Sequence, residues 1–453
     1  MTSKVLVGLR NKLKKFVKKP ELLISLSFVL LILIGAGLLN LPISSSNGKS
    51  IGFIDALFTS ASASCVTGLV VKNTAYYWTT FGKLVIIILI QIGGLGTMVI
   101  ISLISLILKR KIGLSERVLI KEGTGMDSYS GIVKLSKHII LFSIFVELLG
   151  ALFLFIRFSG LYGPSKGLIF SLFHSISAFC NAGFDIIGNS LVPFKGDTII
   201  NLTICFLIII GGLGYTVFYD LYKCRRFERL SLHSKVALSI TGLLILVGSI
   251  GFYILEHREI SMYGFSEKEK ILSSFFMSVT LRTAGFNTLD ISKISGPSMV
   301  LGIILMFIGA SPASTGGGIK TTTFGVLLMS AISVLRGDEE ASIFKKRIQT
   351  ETILRALTIF FIASALVLIT SMAITLIESE KFQYLDVLYE TVSAFGTVGI
   401  SRGITGDLKG MSKIILTCLM FLGRVGPTTA AIGLLKRKNK KLTKYAKGKI
   451  IVG

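Results

Sequence analysis

Seven apolar stretches constrain this chain more than any other feature of its sequence: residues 22–41, 84–108, 138–158, 199–221, 236–255, 353–377 and 414–435. A bilayer's hydrocarbon core of about 30 Å takes roughly 20 apolar residues as helix, and each stretch meets that length. An eighth begins at 299–308, halts at "GASPASTGGGIKTTT" and resumes at 324–335. With 51% hydrophobic and 16% charged residues and a mean hydropathy of +0.76, the 453 residues belong in a membrane and not in water. The first stretch lacks a small-residue cleavage site and reads as an anchor, not a signal peptide.

The net charge of +25 raises nucleic acid as a partner, and its placement argues against it. Of the 49 Lys and Arg residues, 32 fall in five segments: 7 in 1–20, 7 in 109–137, 5 in 222–235, 5 in 336–355 and 8 in 436–449. These are the two termini and every second loop. The positive-inside rule places them in the cytoplasm of a multi-pass protein of the cell membrane, with anionic lipid headgroups as the ordinary partner of the charge.

The other loops carry a recurring stretch: "SASASCVTGLVV", "SISAFCNAGFDI", "SVTLRTAGFNTL" and "TVSAFGTVGISR". Their central glycines, Gly68, Gly183, Gly285 and Gly399, lie 115, 102 and 114 residues apart, so the unit is about 110 residues long. Each unit reads span, short helix with a glycine, span. The second spans echo one another, "QIGGLGTMV" against "IIGGLGYTV" and "MFIGASPAST" against "MFLGRVGPTT". The resulting layout is a basic N-terminus (1–21), repeats at 22–110, 111–222, 223–336 and 337–435, and a basic tail (436–453). The fold expected is an all-α polytopic membrane protein with four pseudo-symmetric helix, pore loop, helix repeats, eight spans around a central pore.

A short apolar segment between two spans is expected to re-enter the membrane, and irregular backbone is tolerated there only when it lines a cavity or is buried in protein. Glycine admits positive φ and removes Cβ, which lets successive carbonyls replace the water around a cation. The preceding half-helix points its negative end at the ion. No carboxylate sits at the centre of any of the four stretches, so neutral oxygens are expected to coordinate a monovalent cation.

The four repeats and the motifs "CVTGL", "CNAGF", "RTAGFNT" and "GTVGIS" resemble the Trk/Ktr/HKT superfamily of potassium transporters over essentially the whole chain, closest to its KtrB-type membrane subunits. The resemblance implies potassium transport through a selectivity filter formed by Val66, Thr67, Gly68, Asn181, Ala182, Gly183, Thr283, Ala284, Gly285, Thr397, Val398 and Gly399. Glycine at all four positions goes with potassium selectivity in the superfamily, whereas a serine in the first repeat marks sodium-permeable plant relatives. It also implies a homodimer seated on a cytoplasmic ring of nucleotide-binding RCK-domain subunits (KtrA-like). That partner accords with the absence of a G-x-x-x-x-G-K-[ST] phosphate loop from this chain. Potassium in the filter, with sodium as a second cation, is the only ligand expected; no cofactor and no enzyme constellation is visible. Channel-like uptake and sodium-coupled symport both remain open.

Below the filter, the run Gly309, Ala310, Ser311, Pro312, Ala313, Ser314, Thr315, Gly316, Gly317, Gly318 cannot continue a helix. Arg424 falls within the last apolar stretch at a cost of about 2.5 to 3.5 kcal/mol. Gly309 and Gly423 each lie 24 residues beyond their filter glycine, so both are expected just under the filter. The resemblance implies an intramembrane gate with the arginine in its barrier. Asp185 and Asp290 are candidates for a cation-attracting mouth or for loop caps. Arg282 is expected in a structural ion pair, and Glu147 and Arg157 as a pair within one helix or with the arginine at the membrane edge. The cysteines Cys65, Cys180, Cys205, Cys224 and Cys418 read as small hydrophobes, and the GGLG pairs as close-packing sites more than hinges.

Overall fold

The computed structural model describes residues 20–96, 132–224, 226–338, 340–379 and 381–426. The basic termini, most of loop 109–137 and the ends of the second and last apolar stretches (97–108 and 427–435) lie outside the described residues. Within them the regular structure is helical but for a hairpin, β1 (Ser342–Ile343) and β2 (Lys346–Arg347). The helices are α1 (Pro20–Leu39), α2 (Phe53–Ser64), α3 (Thr80–Leu95), α4 (Ile132–Tyr162), α5 (Pro164–Phe179), α6 (Thr198–Leu213), α7 (Tyr215–Lys223), α8 (Leu232–Glu256), α9 (Glu267–Thr280), α10 (Gly296–Phe307), α11 (Thr321–Arg336), α12 (Thr350–Glu378), α13 (Tyr384–Gly396) and α14 (Gly410–Val425), besides short turns.

Among the described residues, three helices have the length and composition to cross a bilayer alone, within α4, α8 and α12, and Leu30, Phe145, Phe361 and Leu376 lie exposed along α1, α4 and α12. In a membrane-type protein such a surface meets lipid. The helices α2, α5, α9 and α13 are different. At 12 to 16 residues they are too short to span, and their C-terminal halves are buried among the others.

Glutamates pin the long helices to their successors. Glu256, the last residue of α8, accepts the backbone N–H and the hydroxyl of Ser295, the N-cap of α10, at 2.9 and 2.6 Å. Glu378, the last residue of α12, accepts from Lys409 N at 2.9 Å and Ser412 Oγ at 2.6 Å at the start of α14. In both units the short helix, α9 or α13, lies between the two pinned ends along the chain. Its own start is set locally in α9, where Ser266 and Glu269 form a reciprocal capping box.

The apolar stretch 199–221, expected as one span, is two helices bent by 92°. The bend is at Gly214, with φ of 90°, where a Cβ would strike the carbonyl of Pro312. Tyr215 N–H then donates to Ala313 O at 3.0 Å. The apolar run continues past the bend into Tyr215, Val217 and Phe218, so hydropathy alone cannot locate it.

Candidate ion pathway

The four quoted stretches fold alike and meet. Two residues before each glycine the backbone takes a left-handed turn, at Val66 (φ 58°), Asn181 (φ 59°), Thr283 (φ 80°) and Thr397 (φ 50°), and each glycine follows at φ 94°, 67°, 85° and 87°. Three of these residues, Val66, Thr283 and Thr397, are β-branched and strained in that region, whereas Asn181 tolerates it. The recurrence of the turn in four places shows that tertiary packing imposes it. A Cβ added to Gly68 would lie 2.5 Å from Ala182 O, one on Gly183 2.6 Å from Ala284 O, one on Gly285 2.6 Å from Val398 O, and one on Gly399 closer still to Thr67 O. The carbonyl before each glycine therefore abuts the glycine of the preceding unit, and the fourth returns to the first. The sequence candidates Val66 to Gly68, Asn181 to Gly183, Thr283 to Gly285 and Thr397 to Gly399 form one closed ring.

The four glycines line a single cavity of about 230 Å³, together with Asp185, Ser190, Asn287, Ser401 and Thr405. Hydroxyls hold the ring from behind. Ser62 and Ser393 accept the N–H of Gly68 and Gly399 at 3.0 and 3.1 Å, while Ser177 and Thr280 donate to the carbonyls of Phe184 and Phe286 at 2.8 and 2.6 Å. These four were missed in the sequence, although three of them are serines recurring six residues before their glycine. The third unit is one residue tighter: Ala284 N–H reaches back four residues to Thr280, where its counterparts reach back five.

The broken stretch lies against the other side of the ring. Gly317 N–H donates to Thr397 Oγ1 at 2.9 Å, and a Cβ on Gly316 would overlap Thr283 Oγ1. Thr315 Oγ1 lies 3.3 Å from both Phe179 O and the Asn181 amide. The loop is a compact fold of its own, closed by Gly309 N–H to Ile319 O at 2.9 Å and Ser311 Oγ to Thr321 Oγ1 at 2.7 Å. It leans on the bent unit through Ser311 N–H to Gly212 O at 2.9 Å. Arg424 reaches it from α14: its guanidinium donates to Thr315 O and Gly93 O, and to Gly94 O at 3.1 Å. Among the described residues its hydrogen-bond partners are all backbone carbonyls. Lys320, absent from the sequence candidates, donates to Gly316 O at 2.7 Å. A lysine directly after three glycines and an isoleucine was the available signal.

Other candidates sort differently. Asp185 caps its loop through the N–H groups of Ile187, Gly188 and Ser190 and lines the cavity as well. Asp290 caps Ser292 and pairs with Lys293 at 3.1 Å; the Ser292 hydroxyl, and then Lys293, hold its carboxyl below the usual range. Arg282 has no carboxylate partner among the described residues and donates to Thr241 at 3.3 Å, so the expected ion pair is absent there. Glu147 and Arg157 do not pair with each other. Ten residues along α4 separate them by about 15 Å, and they take Gln91 at 3.0 Å and Asp197 at 2.7 Å respectively. Cys65, Cys180 and Cys205 are buried, Cys224 is half-buried and Cys418 exposed, all as free thiols. Of the GGLG glycines, Gly93 and Gly211 sit at close contacts, where Cβ atoms would strike the carbonyls of Ser64 and Phe179, while Gly214 makes the fixed bend.

A family model described as TrkH, cation transport protein, matches residues 11–443. Among similar proteins, the Ktr system potassium uptake protein B of Bacillus subtilis is 43% identical over 98% of this chain and 99% of its own. The potassium/sodium uptake protein NtpJ of Enterococcus hirae is 41% identical over 96% of this chain and 97% of its own. The crystal structure of the potassium transporter TrkH from Vibrio parahaemolyticus superposes with a TM-score of 0.72 at 19% identity, covering 92% of this chain and 84% of that one, a likeness of fold.

Proposed function

The chain belongs to the TrkH family of cation transport proteins, a family of transporters and not of enzymes, and on that premise we propose that it takes up potassium across the cell membrane through the glycine ring. The observation that carries this reading is the closure of the ring, in which four glycine-led strands bring the carbonyls of Thr67, Ala182, Ala284 and Val398 to the neighbouring glycines. Such an arrangement suits a dehydrated monovalent cation, with the C-terminal ends of α2, α5, α9 and α13 adding partial negative charge. The vestibule lined by Asp185 faces outward, the two termini are cytoplasmic, and eight crossings in four repeats surround the pore.

Directly beneath, Gly309 to Gly318 form the gate, with Arg424 latching it to Gly93 and Gly94 and Lys320 holding its turn. Two cations at the inner side of the ring oppose potassium electrostatically. Opening withdraws the loop and needs a signal from a cytoplasmic nucleotide-binding subunit, and the membrane subunit works as a homodimer with one pore per chain. Relatives named as parts of a Ktr system support this reading. Native mass spectrometry in mild detergent, together with capture of an RCK-domain ring, checks it; a strict monomer that captures no ring overturns the assembly.

The test of transport is uptake of potassium, rubidium and sodium by purified protein in liposomes, each varied separately. Potassium and rubidium uptake above sodium is expected. Potassium flux that stops without sodium would favour the symport that the name of the Enterococcus relative raises.

A further inference from the structure

A second cavity, of about 490 Å³, lies away from the ring, between the start of α8, the start of α11, the β hairpin and the start of α12. That volume is in the range of ligand sites. Arg347 and Arg355 line it together with His233, Thr322, Thr323 and Thr352, and among the described residues no carboxylate does. Glu340 engages Arg347 Nε at 2.7 Å, an exposed pair that leaves the far edge of the guanidinium to other acceptors. Apart from Gln349 the rest of the lining is apolar, with Val236, Val326 and Ile359 on three different helices. Next to Arg355 on α12, Leu354, Leu357 and Phe361 are exposed in the manner of a lipid-facing surface.

We infer that this cavity binds an anionic phospholipid, its phosphate on Arg347 and Arg355 and an acyl chain against Val236, Val326 and Ile359. A basic head and an apolar floor at the end of a lipid-exposed helix match an amphiphile, whereas a soluble phosphate would leave the floor empty. The first turns of α8, α11 and α12 all reach the cavity, so the positive ends of three helix dipoles add to the two arginines. The cavity also touches the gate's own element. Thr322 and Thr323 follow Thr321, whose N–H donates to Ala310 O at 3.2 Å and whose hydroxyl meets Ser311. A bound lipid therefore touches the first turn of the helix that continues from the loop. The orientation assumed, with this end of α12 at the cytoplasmic leaflet, rests on the transport reading above.

The experiment is native mass spectrometry of the full chain in mild detergent, titrated with phosphatidylglycerol or with phosphatidylcholine. Wild type is expected to retain phosphatidylglycerol selectively, and Arg347→Gln/Arg355→Gln to lose that preference by roughly tenfold. Arg258→Gln, outside the cavity, is expected to keep it. Should the double variant fold poorly, Ile359→Trp fills the apolar end and is expected to reduce retention of both lipids at this site. Equal retention of phosphatidylglycerol by wild type and variants overturns the proposal. So does displacement of the lipid by inorganic phosphate at equal concentration, which would make soluble phosphate the ligand. Lipid retention is read without transport, so its failure is separable from failure of the potassium reading.

Discussion

The glycine ring and the layer directly beneath it are built from the same four units on opposite principles. In the ring all four units agree, in left-handed turn, in glycine and in the carbonyl each offers to its neighbour. One layer down they part. The second unit bends at Gly214, the third opens into Gly309 to Gly318, the fourth contributes Arg424, and the first supplies the carbonyls of Gly93 and Gly94. Coordination of a spherical ion benefits from equivalent ligands, whereas a gate needs one element free to move and others to hold it. On the proposed reading, repetition and its local loss mark two jobs within one fold.

The sharpest way to break this contrast is to damage the ring. At Gly399 a Cβ would overlap Thr67 O, and a left-handed backbone adds about 1 to 2 kcal/mol for any other residue. Gly399→Ala is therefore expected to cut potassium uptake by more than tenfold. Gly68→Ser, whose Cβ would sit 2.5 Å from Ala182 O, is expected to weaken potassium over sodium discrimination by roughly tenfold, about 1.4 kcal/mol. Both are read as rubidium and sodium uptake in liposomes at matched protein levels. Unchanged ion ratios in the two variants would remove the ring from selectivity.

Changes in the lower layer should act the other way. Deleting part of Ser311 to Gly318, or Arg424→Ala, is expected to raise potassium flux severalfold in the absence of any regulatory partner, since a positive charge leaves the ion's path. Arg424 binds carbonyls, so its loss orphans no carboxylate. Each buried carbonyl left unpaired costs about 1 to 3 kcal/mol. Lys320→Met is expected to leak less than Arg424→Ala, because it frees one carbonyl and leaves the latch to Gly93 intact. Reduced expression with no leak from the surviving protein would make both residues struts and not closures.

The two layers were not equally legible. Gly68, Gly183, Gly285 and Gly399 announce themselves by spacing, and the run from Gly309 to Gly318 by its inability to stay helical. What those residues touch was not legible. The bend at Gly214 is set by the carbonyls of Pro312 and Ala313 a hundred residues away, and the partners of Arg424 come from two other units. The pairing expected for Arg282, and that for Glu147 with Arg157, failed for the same reason. Charge pattern shows that a buried ionisable group needs a partner, and only packing decides whether that partner is a threonine, a glutamine or an acid.

The smallest expected effect tests whether the ring is as equivalent as it looks. Ser393 accepts the Gly399 N–H at 3.1 Å, whereas Ser177, at the matching position, donates to Phe184 O at 2.8 Å. Each bond has a net worth of about 1 kcal/mol. Ser393→Ala leaves a filter N–H without its acceptor, and Ser177→Ala leaves a carbonyl that still has a second lone pair to offer elsewhere. Both variants should fold, because each removes one buried hydroxyl and fills no space. If the ring averages its ligands, the two should shift the potassium over sodium ratio alike and by less than about fivefold, a change of roughly 1 kcal/mol. A large shift from Ser393→Ala alone would mean that one strand dominates coordination. Fourfold geometry would then conceal unequal sites, and the asymmetry of the lower layer would begin within the filter.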